Sequence, residues 1–162
     1  MRWIWIDRFE EFESGKRAVT IKNVTLAEDH LHDHFPGYPI MPASLMIEGM
    51  AQTAGILVGE ARQFREKVIL AKVTRANFDH LVLPGDTIRY EANVVHLDDL
   101  QGRTEGRIFV GDQEIGQVDI VFSHIDQNMS GLDLPEENFV FTESFMSLLR
   151  AFTQENQEKV TL

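Results

Sequence analysis

Residues 42–66, PASLMIEGMAQTAGILVGEARQFRE, constrain the fold more than any other stretch. Pro42 suits the first turn of a helix. Leu45, Met46, Ile47, Met50, Ala51, Ala54, Ile56, Leu57 and Val58 then spread around the helical wheel instead of forming one stripe. A helix that is apolar on nearly every side must be enclosed by other elements. Polar and charged residues return at Glu60, so any continuation towards residue 66 emerges into water.

The enclosing elements are legible downstream. KVILAKVTRANFDH, DTIRYEANVVHL, RTEGRIFVG and QEIGQVDIVFSH are each of strand length and rich in Val, Ile, Phe or Tyr. Ile88, Tyr90, Ala92 and Val94 alternate with Arg89, Glu91 and Asn93, and Val118, Ile120 and Phe122 alternate with Asp119 and Ser123. Such strands place one face on a core. LPGD at 83–86 has Pro and Gly where a type II turn wants them, HLDDLQG reads as a polar turn, and GDQ at 111–113 reads as a tight hairpin. Four consecutive antiparallel strands result, with an earlier strand or two. One of those is RAVTIKNVTL at 17–26, where Val19 and Ile21 share one face and Val24 and Leu26 the other, predicting a bulge near Asn23.

The economical solution is an α+β fold in which an antiparallel sheet wraps around one long central helix. One domain is expected over 1–125. From 126 the composition shifts, predicting a linker, DQNMSGLDLPEEN, and a short amphipathic helix, FVFTESFMSLLRAFTQ, as an extension over 126–162 packed on the outside or on a partner.

Composition narrows the function classes. Fifteen Lys/Arg against 26 Asp/Glu leave a formal charge of −11, which repels nucleic acid and anionic lipid. Apolar runs are too short to span a bilayer, and MRWIWIDRFEEFE turns acidic without the apolar region of a signal peptide, so a cytoplasmic protein is expected. The absence of cysteine rules out thiolate metal sites. Arg62, Arg65, Lys67, Lys72 and Arg75 form a local basic cluster, read either as a solvated face or as a docking patch for an acidic partner.

The chemistry concentrates in EDHLHDHFPGYPIMP, residues 28–42. In an extended segment His30, His32 and His34 share a face, and three imidazoles could converge on one zinc, as in a metallo-hydrolase. A second reading singles out one histidine and pairs it with Glu48, an anomalous carboxyl among Met46, Ile47 and Met50. Glu48 is then either on a small exposed sector beside Gln52, or a desolvated proton donor. Amides near Ala43 and Ser44, at the helix start, could receive a carbonyl oxygen that becomes anionic. Base, acid and oxyanion site together suit proton abstraction next to a carbonyl, followed by loss of a hydroxyl.

HDHFPGYPIMPASLMIEGMAQTAGIL strongly resembles the signature of the 3-hydroxyacyl-acyl-carrier-protein dehydratases of fatty acid synthesis, of the FabZ/FabA type, in which HFPG.P..P.....E.MAQ..G is the core. The order of helix and strands extends the resemblance over residues 15–125. It implies a hotdog fold paired into a homodimer, with a trimer of dimers left open as a further level. It also implies removal of water from a (3R)-3-hydroxyacyl thioester to give the trans-2-enoyl product, without metal or organic cofactor. His34 would be the base and Glu48, fourteen positions later, the proton donor, the two coming from different protomers. Ala43 would supply the helix-start amide where glycine is usual, Gln52 would hold the carboxylate, and Ser44, Phe35 and Gly37 would complete the substrate contacts.

Glutamate at position 48 resembles the FabZ branch, so dehydration without isomerisation is implied. Gly49, where alanine is common, would loosen the helix or make room for an acyl chain. His30 and His32 match no catalytic position and are expected on the approach to the site, either exposed or packed just behind the residues that touch substrate. The implied partner is acyl carrier protein bearing the acyl-phosphopantetheine substrate, docked by Arg62, Arg65, Lys67 and Lys72. A hotdog thioesterase or a non-dehydrating acyl-binding protein is the alternative function.

Overall fold

The computed structural model describes residues 3–125, 137–138, 140–143 and 145–147. Most of the expected linker and much of the C-terminal helix therefore lie outside the described residues. The elements are β1 (Arg8–Glu13), β2 (Arg17–Asn23), α1 (His30–Asp33), α2 (Ala43–Glu60), β3 (Lys67–Phe78), β4 (Thr87–Leu97), β5 (Gln101–Val110) and β6 (Gln113–Ile125). They form one sheet in the order β1-β2-β4-β5-β6-β3, with every neighbouring pair antiparallel. The apolar α2 lies against β2, β3, β4, β5 and β6, so the sheet curves around it as its all-round pattern requires. Met50, Ala54 and Leu57 are fully buried against a core that includes Tyr90, Ala92, Ile108 and Ile120. Each large side chain so enclosed contributes about 1.5–3 kcal/mol.

Two local expectations change, and the end of the helix, left open by the sequence, is fixed. The helix stops at Glu60, well short of 66. Gln63 and Phe64 adopt positive φ (56° and 52°), and the Phe64 amide donates to Gly59 O at 2.8 Å. That reversal lays the Phe64 ring edge-on against Phe141, 4.9 Å between centroids, so aromatic burial replaces further helical turns. Strand β2 ends at Asn23 without the expected bulge there. The Val24 amide leaves the ladder for Asp86 O at 2.9 Å, and the register shift falls instead between Phe9 and Glu11 of β1. Gly49 makes room for protein rather than ligand: a methyl there would lie 2.6 Å from Tyr90 Cζ and Oη.

The 83–86 turn forms as expected, with Asp86 N–H donating to Leu83 O at 3.0 Å. The described part of the C-terminal segment packs on its own domain, where Phe141 is buried against the end of α2. No helix among the described residues is long and apolar enough to cross a membrane.

Candidate active site

His34 follows the single turn of α1, and that turn is tied down from below. Lys22 of β2, almost wholly buried, reaches Glu28 at 2.7 Å and anchors the loop that leads into α1. After His34 the chain doubles back: Phe35 N–H donates to Tyr38 O at 3.0 Å and Tyr38 N–H to Phe35 O at 2.9 Å. Gly37, at φ 78°, supplies the left-handed conformation this reversal needs. The loop closes with Ile40 N–H donating to His34 O at 2.9 Å, while His34 Nδ1 lies 3.0 Å from Ile40 O. A carbonyl oxygen only accepts, so Nδ1 carries the hydrogen and Nε2 keeps its lone pair. The ring is thereby set up as a base.

His34 lines a cavity of 420 Å³ with Phe35, Ala43, Met46, Phe78 and His80. Ala43 is the first residue of α2, and the earliest bonds at that end run from Leu45 and Met46 N–H to Pro42 O, at 3.0 and 3.2 Å. The Ala43 and Ser44 amides come before that ladder and lie at its positive end. Ala43 has ordinary helical backbone, since positive φ among the described non-glycine residues is confined to Gln63 and Phe64. Its methyl in place of the usual glycine therefore creates no backbone strain. Phe35 stacks on His34 at 4.3 Å between centroids. Ser44 is exposed and lines neither this cavity nor the next, and Gly37 acts through the turn.

Glu48 opens into a different cavity, of 360 Å³, shared with Trp3, Gln52, Gly55, Leu70 and Phe122. Gln52, one helical turn on, holds it: Nε2 donates to Glu48 Oε1 at 2.9 Å and to Trp3 O at 3.0 Å. The amide cannot flip, because Trp5 N–H donates to Gln52 Oε1 at 2.8 Å. One oxygen of Glu48 is thus fixed and the other is left to exchange a proton. Within one protomer His34 and Glu48 line separate cavities and do not meet.

The histidine triplet is not a ligand set. Residues 30–33 form a helical turn, so His30 and His32 point about 200° apart instead of sharing a face. His32 Nε2 lies 3.0 Å from Leu26 O, and His30 packs edge-on against Trp5 at 5.1 Å. Burial pushes the His30 imidazole below its ordinary value. Among the described residues no group of three or more His, Asp or Glu is arranged to hold a metal ion.

The basic cluster also thins. Arg62 pairs with Asp99 and Arg75, itself exposed, with Asp119, each at 2.7 Å, and Lys67 is buried, which leaves Arg65 and Lys72 as the exposed members outside these two pairs. Asp79 and His80, beside His34, and the backbone at Trp3 and Trp5, behind Gln52, escaped sequence reasoning. Both belong to irregular segments, where no periodicity records which way a group faces.

The FabA-like domain family matches residues 3–119. The chain belongs to that family. A 3-hydroxyacyl-acyl-carrier-protein dehydratase FabZ of Desulforamulus reducens is 38% identical over 122 residues, covering 75% of this chain and 86% of that protein. The protein of the same name from Clostridium acetobutylicum is 39% identical over 118 residues, covering 72% of this chain and 84% of its own length. Among solved structures, the dehydratase heterocomplex of Xenorhabdus doucetiae superimposes with a TM-score of 0.63 at 16% identity, over 77% of this chain and 85% of that one. That likeness establishes the shared fold, the hotdog arrangement of sheet around helix.

Proposed function

We propose that this protein removes water from (3R)-3-hydroxyacyl thioesters carried by acyl carrier protein, giving the trans-2-enoyl thioester, and that the working unit is a homodimer. The observation that carries the reading is the fixed imidazole of His34, with Nδ1 held by Ile40 O and Nε2 left basic, beside the start of α2. Nε2 takes the proton from C2, and the electron pair moves into the thioester carbonyl, whose oxygen the Ala43 amide receives. The C3–O bond then breaks, and the departing hydroxyl takes the proton of Glu48 and leaves as water. Proton transfer from His34 back to Glu48, through solvent, resets the site.

Supporting a two-protomer site, Leu45, Ile47 and Ala51 on α2 are only half buried, and β3 is a free edge strand with Leu70 41% exposed. Apolar groups left open beside the two halves of a site suit burial against a second copy.

The test uses two inactive variants, His34→Ala and Glu48→Gln, unfolded together and refolded as a mixture. If each site draws His34 from one protomer and Glu48 from the other, every mixed dimer contains one intact site. About a quarter of wild-type dehydration should then return. No recovery, with mixed dimers present, refutes the shared site. Hydrolysis of 3-hydroxyacyl thioesters by the wild type, without hydration or dehydration, refutes the reaction.

A further inference from the structure

We infer that the segment carrying Phe141 and Phe145 forms the end wall of the cavity into which Glu48 opens, and so sets the longest acyl chain this protein accepts. The inference rests on the reading of that cavity as the acyl site. The cavity follows α2 from Glu48 past Ala51 and Gln52 to Gly55 and Ile56. Gly55 lies seven positions after Glu48 on the helix, a rise of about 10 Å. Val68 and Leu70 of β3 and Phe122 of β6 contribute to the sides, and Val140, Phe141 and Phe145 complete the lining.

One turn beyond Gly55, the Phe141 ring presses on the helix backbone. A methyl at Gly59 would lie 2.6 Å from Phe141 Cζ. The wall is anchored: Asn138 Nδ2 donates to Phe64 O and Glu66 O, both at 3.2 Å, while its Oδ1 accepts from Val140 and Phe141 N–H at 3.1 and 3.0 Å. These residues lie beyond the family match, which ends at residue 119.

The occupant follows from the polar inventory. Gln52 has its oxygen and both amide hydrogens engaged by Trp5, Trp3 and Glu48. The second oxygen of Glu48 is the polar group left at that end, and the side chains beyond it are apolar. A straight alkyl chain with one hydroxyl near its head satisfies both ends, whereas a ligand polar along its length would lose hydrogen bonds to water without replacement.

The experiment measures Kd of the full chain for saturated acyl-pantetheine amides of increasing length, in wild type, Phe145→Ala and Phe145→Trp, with circular dichroism confirming that each variant is folded. Binding should tighten about fourfold per added methylene until the chain meets the wall, then stop tightening. Phe145→Ala should extend that limit by about two methylenes, tightening the longer chains at least about tenfold. Phe145→Trp should shorten it. A limit that stays put in both folded variants overturns the inference, as does a wild-type protein that binds no acyl chain. Chain binding with the expected shifts but no dehydration supports the inference and refutes the proposed reaction.

Discussion

At the scale of single residues, His34 and Glu48 each carry one proton transfer in the proposed reaction. His34→Ala and Glu48→Gln should each lower kcat on the order of 10²- to 10⁴-fold. His32→Ala should leave kcat unchanged within a factor of two or so, since an exposed ring bonded to Leu26 O touches neither cavity. His30 acts on stability instead. Its folded value lies below the ordinary 6.5, so the unfolded chain binds the proton more readily and stability is lost as pH falls from about 6.5 through the folded value. Replacing it by Gln should flatten that part of the acid dependence in urea melts compared at neutral and mildly acidic pH.

Gly49 sets two effects against each other. Alanine there gains about 1 kcal/mol of helix propensity, but its methyl meets the fully buried Tyr90 ring at 2.6 Å. Overpacking of that kind costs about 1–3 kcal/mol, so Gly49→Ala should lower the urea midpoint.

At the scale of elements, the working parts are held by segments with little regular structure of their own. The backbone of residues 3–5 fixes Gln52, and Gln52 fixes Glu48. Gln52→Leu therefore removes the partner of the Trp5 amide and of Glu48 Oε1 together. Stability should fall by about 1–3 kcal/mol. Gln52→Glu keeps an acceptor for Trp5 N–H but replaces the donors to Glu48 and to Trp3 O with a second carboxyl at hydrogen-bond distance from Glu48. Like charge there should keep both kcat and stability below wild type, and thermal melts at neutral and acidic pH read beside steady-state kinetics distinguish this repulsion from the loss in Gln52→Leu.

At the scale of the whole molecule, the proposed sharing of the site between protomers would tie activity to association. Specific activity should fall on dilution through the dimer dissociation range, in step with the dimer fraction seen by sedimentation. The net charge of −11 opposes an acidic carrier, so the proposed docking would fall to a local patch, in which Arg65 and Lys72 are exposed. Arg65→Glu with Lys72→Glu should raise KM for the carrier-bound substrate severalfold and leave KM for a carrier-free thioester unchanged.

The sheet order, with β3 beside β6 and not β4, is not written in local sequence. Local sequence accounts for the enclosed helix, the antiparallel strands behind it and the turn at 83–86, and it singles out His34 and Glu48 as the residues proposed to pair. Each of those is written in local periodicity or in a short run of adjacent residues, which records whether a side chain faces inward or outward. What an inward side chain meets depends on how the elements pack. The tertiary structure turned the histidine triplet into a helical turn, stopped α2 at Glu60 so that Phe64 could reach Phe141, filled the space at Gly49 with Tyr90, and clamped Gln52 from a backbone far away in the chain. It also set His34 and Glu48 in separate cavities of one protomer. These outcomes rest on contacts between residues distant in sequence, and such contacts leave no period for a local pattern to carry.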